Sequence, residues 1–121
     1  FEAWHWYCGE ALKKGNQYLL GVAVSKLILF GGRLILAHNE MLYPYHKWFL
    51  KVLERAKEKP SELMACIQTL TEAPTAENVE AFYQKVKTFQ SWNENPYGWG
   101  AQFMLDSELN WMDGKTPVDD L

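Results

Sequence analysis

The sequence predicts an all-α protein, an antiparallel bundle of about five to six helices. Apolar residues return every three or four positions over most of the 121 residues, the period of a helix with one buried face. No segment alternates apolar and polar residues over a strand's length with turn signals on both sides. Hydrophobic residues make up 48% of the chain and charged residues 22%, ordinary globular usage. A chain of this length removes roughly two-thirds of its unfolded surface from water, so residues 1–121 are expected to form a single helical domain.

The elements follow in order. Phe1 to Lys14 reads as a first helix with Trp4, Cys8 and Ala11 on one stripe, stopped by Gly15-Asn16. Gln17 to Met41 reads as a long central helix on which Leu20, Val24, Leu27, Leu34 and Met41 recur. Gly31-Gly32 within it costs about 1 kcal/mol per glycine relative to alanine, which a kink, a close helix crossing or room for a ligand would offset. Pro44 suits the first turn of a third helix, with Tyr45, Trp48, Phe49, Val52, Leu53 and Ala56 facing inward. Pro60-Ser61 precedes a shorter helix to about Glu72 built on Leu63, Ile67 and Leu70. Thr75 is the expected N-cap of the next helix, which steps through Val79, Phe82, Val86 and Phe89. A turn over Asn95–Gly100, a last helix on Leu105, Leu109 and Met112 with a stop at Gly114, and an extended acidic tail complete the chain.

Charge and cysteine usage narrow the classes of partner. A net charge of −3 and a pI near 5.6 give no general attraction to nucleic acid or to an anionic membrane, and neither is expected as a partner. Leu19 to Ala37 is apolar enough to raise the question of a membrane span. Lys26 and Arg33 within it would each cost about 2.5–3.5 kcal/mol at a bilayer centre, so a buried core helix is expected. Cys8 and Cys66 match no metal or redox spacing and read as two free buried thiols of a reducing, cytoplasmic compartment. No HxxxH or CxxC pattern occurs, so no metal site is expected. Phe1 is not an initiator methionine, so further residues are expected ahead of it.

Several constellations bear on chemistry. Lys26, Arg33 and Glu40 lie seven residues apart on one face of the central helix, beside a parallel line of Ser25, Gly32 and Asn39. That face is either a solvated edge or the wall of a pocket in which glycine admits a ligand while Arg33 and Glu40 read its charges. Tyr43, His46 and Lys47 surround the expected start of the third helix, where free N–H groups and the helix dipole favour an anion. Tyr45 and Trp48 fit core packing. Arg33 and His38 fit an arginine, four residues, then a histidine, which resembles the motif of HEPN-type ribonucleases; there the histidine moves a proton and the arginine stabilises the phosphate. Five residues on a straight helix set two side chains about 140° apart, so a distortion at the glycines or pairing across a dimer is required. Trp4-His5-Trp6-Tyr7 fits either a stacking surface for a base or sugar or a helix–helix interface. Asp106, Glu108, Asp113, Asp119 and Asp120 fit no calcium loop.

Three stretches taken together, Trp4 to Gly15, Phe30 to Asn39 and Leu42 to Phe49, resemble the C-terminal half of bacterial nucleotidyltransferase-domain proteins, over most of the chain. Such proteins pair an N-terminal catalytic α/β domain with a C-terminal helical bundle similar to the substrate-binding domains of aminoglycoside nucleotidyltransferases and to HEPN domains. The resemblance implies an accessory, non-catalytic domain that holds the acceptor. The Gly-Ser turn and paired aspartates of the catalytic domain do not occur here, so Mg2+ and a nucleoside triphosphate are expected only with that N-terminal domain. Arg33, Glu40, Tyr43, His46, Lys47 and Trp48 are the expected acceptor-binding residues, with Glu40 as the general base on the acceptor hydroxyl. A net charge of −3 is too small to choose cationic aminoglycosides over other small-molecule acceptors. Two other readings stand beside this one: a metal-independent ribonuclease or toxin-antitoxin partner using Arg33 and His38, and an interaction module that forms a homodimer.

Overall fold

The computed structural model describes residues 1–92 and Gly98, and within them five helices and no strand. The helices are α1 (Glu2–Lys14), α2 (Gln17–His38), α3 (Phe49–Glu54), α4 (Leu63–Glu72) and α5 (Ala76–Lys87). Internal packing divides the chain into Phe1–Ser91 and Trp92–Leu121, and all five helices belong to the first unit. The last helix expected around Leu105, Leu109 and Met112, and the acidic tail, lie outside the described residues.

Local chemistry sets most of the boundaries. Gly15 takes the left-handed conformation at φ 63° that ends α1, and its N–H bonds back to the α1 carbonyls. Asn16 then caps α2, its side chain accepting from the Leu19 N–H at 3.0 Å. A two-residue link between helices of this length folds α2 back along α1, and these two make the most extensive helix pair in the unit. Thr75 caps α5 by accepting from the Asn78 N–H at 3.2 Å. Leu63, Ile67 and Leu70 of α4 and Val79, Phe82 and Val86 of α5 are buried, as their spacing predicts.

Two boundaries differ from the sequence reading. The central helix ends at His38, three residues before Met41, because Glu40 adopts the left-handed conformation at φ 55°. The Glu40 N–H donates to the Ala37 carbonyl at 3.0 Å and the Met41 N–H to the Leu36 carbonyl at 2.9 Å, the pairing that ordinarily places glycine in Glu40's position. The third helix starts at Phe49 instead of Pro44. Phe49, Leu53 and Ala56 face inward as expected, whereas Tyr45 and Trp48 are exposed.

Helix α2 touches each of the other four. Its buried residues are Ala23, Val24, Leu27, Ile28, Gly31, Gly32, Ile35 and Leu36, a wider band than the expected stripe, with Leu20, Leu34 and Met41 only half-buried. It is also the one helix among the described residues long and apolar enough to cross a membrane. Here its apolar band packs against protein.

The glycine pair accounts for that packing. A Cβ on Gly31 would stand 2.8 Å from Phe82 Cζ and 3.0 Å from Phe1 Cε2, and one on Gly32 would collide with Phe49 and lie 3.2 Å from Leu53 Cδ2. Of the three offsets for two helical glycines, the structure uses close approach: aromatic rings from α5, from the start of α1 and from α3 rest on α2 backbone. Gly21, on the same helix, would meet nothing within 4 Å. Identical substitutions in one helix should therefore have opposite signs. Gly21→Ala should stabilise by about 0.5–1 kcal/mol through helix propensity, and Gly31→Ala should destabilise by about 1–3 kcal/mol through overpacking, both read from urea unfolding.

Candidate functional site

The loop from Asn39 to Trp48 joins α2 to α3 and carries most of the expected acceptor-binding residues. Its base is fixed by one side chain. Asn39 donates through Nδ2 to the Ile35 and Glu58 carbonyls, each at 2.7 Å, and accepts the Glu58 N–H at Oδ1 at 2.9 Å. His38, one residue earlier, pairs with the Glu58 carboxylate at 3.0 Å. The end of α2 is thus tied to the segment between α3 and α4 through a single residue, Glu58.

Above that anchor the backbone is strained at two places. Glu40 has φ 55° and Tyr45 φ 148°, conformations that cost of order 1–3 kcal/mol each for residues with a Cβ. Between and beyond them the side chains face solvent. Leu42 is 90% exposed, Tyr45 54%, Trp48 47%, Leu50 45% and Tyr43 37%, so five large apolar side chains emerge within nine residues.

Cations sit against these rings. The Arg33 guanidinium lies 5.4 Å from the Tyr43 ring centroid and 5.5 Å from that of Phe30. The Lys47 and Lys51 ammonium groups lie 5.2 Å and 5.3 Å from the Trp48 ring, within the range of cation–π attraction. Tyr43 in turn meets Phe49 edge-on, centroids 5.5 Å apart, and Phe49 rests on Gly32. His46 is exposed, with its ring 3.9 Å from that of Tyr45.

The structure therefore brings Arg33 to Tyr43 and sets Lys47 beside Trp48, with Lys51 an addition that the sequence reading did not single out. Glu40 is exposed but lies past the end of α2, so it does not continue the Lys26–Arg33 face. Gly32 is filled by Phe49 and Leu53 and admits no ligand. No anion site forms at a helix start by Tyr43, because the helix begins six residues later. Arg33 and His38 are not brought together within one chain: α2 is helical through both, and His38 turns instead to Glu58 and to the edge of Phe89 at 5.2 Å.

A second polar cluster escaped the sequence reading. It joins α1 to α5. Tyr83 donates to Glu2 Oε2 at 2.5 Å, and Lys87 donates to Glu2 Oε1 at 3.0 Å and to the Tyr83 hydroxyl at 2.9 Å. His5 stacks parallel on Tyr83 at 3.6 Å and pairs with Glu80 at 2.8 Å. The spacings Glu80–Gln84 and Tyr83–Lys87 were visible as helical neighbours, but their partners on α1 depend on which helices pack. Of the two readings of Trp4-His5-Trp6-Tyr7, His5 follows the helix–helix one.

Burial raises the Glu2 carboxyl, and the hydrogen bonds from Tyr83 and Lys87, with the Lys87 charge, more than reverse this, leaving it below its ordinary value. Burial and the bond to Glu2 push the Tyr83 phenol up, and bonds to Tyr83 and Glu2 hold the Lys87 ammonium above its usual value. At neutral pH the cluster is a carboxylate, a phenol and an ammonium, a brace without a poised base. Both cysteines are free; Cys8 is buried, which pushes its thiol up to about 11, and Cys66 is only half-buried, against the expectation of two buried thiols. Among the described residues no three His, Cys, Asp or Glu side chains gather as metal ligands would.

Comparison of the chain with models of protein families, with curated proteins and with solved structures finds no match. What the geometry defines is a class: a helical domain with a rigidly based, exposed loop that presents rings and cations.

Because the folded Glu2 carboxyl lies below its unfolded value, its contribution is present above about pH 4.5 and is lost as pH falls through the folded pKa. Glu2→Gln should therefore cost about 1–2 kcal/mol at pH 7, the scale of hydrogen bonds to a charged group on a half-buried side chain, and the gap from wild type should be smaller at pH 3 than at pH 7. Urea unfolding at both pH values measures it, and a gap that stays constant would contradict this assignment.

Proposed function

We propose that this chain is the non-catalytic substrate-binding domain of a nucleotidyltransferase-like protein, holding the acceptor for transfer by a separate N-terminal domain. The observation that carries the reading is the exposed surface on which Arg33 meets Tyr43 and Lys47 and Lys51 meet Trp48. Rings and cations left in water on a strained loop with a rigid base suit recognition, since core packing would have covered them. The all-α fold agrees with the helical half of such proteins. Mg2+ and the nucleoside triphosphate belong, on this reading, to the catalytic domain.

Within the acceptor surface, Arg33, Tyr43, His46, Lys47 and Trp48 bind and orient. Glu40 is the carboxylate of the same loop, and its role on this reading is to accept the proton of the acceptor hydroxyl. In the full-length protein, Arg33→Ala and Trp48→Ala should raise the acceptor KM at least tenfold and leave the KM for the nucleoside triphosphate within twofold. Equal effects on both substrates, or none on the acceptor, would contradict the assignment. Glu40→Gln should lower kcat by about 10²–10⁴-fold, and unchanged turnover would remove Glu40 from that role.

A further inference from the structure

Resting on the acceptor-binding reading, we propose that the acceptor is an anion that carries a planar ring, of nucleotide type, and not a polycationic aminosugar. Charge comes first. No Asp or Glu occurs between Glu40 and Glu54, while Arg33, His46, Lys47 and Lys51 all lie exposed on or against that stretch. Among the described residues the ion pairs are made by His5, Lys13, Lys14, His38 and Lys87. Arg33, Lys47 and Lys51 have no carboxylate of the described residues at ion-pair distance; rings lie against them.

The Lys47 and Lys51 ammonium groups both stand against one indole. Both carry the same sign beside one ring, and a phosphate or carboxylate next to Trp48 gains charge-assisted hydrogen bonds from either. A polyamine would meet Arg33, Lys47 and Lys51 there, a like-charge juxtaposition that disfavours it.

The rings supply the other half of recognition. Trp48 and Tyr45 are each about half exposed, and a planar base gains affinity by stacking on such a ring. Arg33 over Tyr43 offers a second flat, cationic surface. Ring beside cation, twice over within one loop, matches base beside phosphate. The chemistry is the same whether the nucleotide is free or the end of a single strand, and salt dependence separates the two.

The test is a titration of this chain, followed by backbone amide NMR at low salt, with adenosine monophosphate, a single-stranded oligoadenylate of about eight nucleotides, and kanamycin. The proposal expects adenosine monophosphate to shift amides of residues 40–51. Trp48→Ala and the double variant Lys47→Gln/Lys51→Gln should each weaken binding at least tenfold; all three residues are exposed, so the fold should survive. An oligoadenylate bound more than tenfold tighter, with steep salt dependence, identifies a strand end as the source, and equal affinity identifies a free nucleotide; both support the proposal. Kanamycin shifting residues 40–51 while adenosine monophosphate does not would overturn the anionic class and leave the acceptor surface standing. No shift in residues 40–51 with any probe would overturn both.

Discussion

Two missing side chains on α2 set the geometry of the helical unit. Gly31 and Gly32 leave backbone bare on the helix that touches all the others, and Phe82, Phe1 and Phe49 occupy the space. Phe82 and Phe49, both buried, each gain on the order of 1.5–3 kcal/mol there, which exceeds the roughly 1 kcal/mol that a helical glycine costs. A Cβ at either position would push the neighbouring ring outward, and with it the helix that carries the ring.

That constraint reaches the surface through a chain of contacts. Phe49 lies on Gly32, Tyr43 meets Phe49 edge-on, and Arg33 lies over Tyr43. Arg33 is the residue immediately after Gly32, so the path leaves α2 and returns to it within one residue. Asn39 and His38 fix the loop from below through Glu58, and the rings fix it from the side. A loop held in this way can keep two strained residues and still present its rings and cations in one arrangement. The brace of Glu2, Tyr83 and Lys87 works at a different place, keeping α5 against α1 so that Phe82 stays over Gly31.

Much of the fold was legible in the sequence because its signals are local. Gly15-Asn16, Thr75 and the spacings of Leu63, Ile67, Leu70, Val79, Phe82 and Val86 act within one helix or one turn, and the structure has the stop, the cap and the buried stripes they predict. The end of α2 was misplaced because Glu40 occupies a left-handed position where glycine is the usual signal. The start of α3 was misplaced because Pro44 fits a first helical turn equally well as a loop, and only tertiary contacts choose. The candidate site is only partly legible: Arg33, Tyr43, Lys47 and Trp48 stand out as residue types, but whether the aromatics face the core or water depends on the missing turn of helix. The pairing of α1 with α5, and hence the Glu2 network, has no local signature at all.

The most direct test of this account is a double-mutant cycle between Gly32→Ala and Phe49→Leu, read by urea unfolding. The ring atoms nearest a Cβ on Gly32 are Phe49 Cζ and Cε2, which leucine lacks. The account predicts that the cost of Gly32→Ala falls by at least about 1 kcal/mol in the Phe49→Leu background, the scale of coupling between residues in contact. Strict additivity of the two substitutions would show that Phe49 does not rest on Gly32, and would contradict the link from the core glycines to the exposed loop.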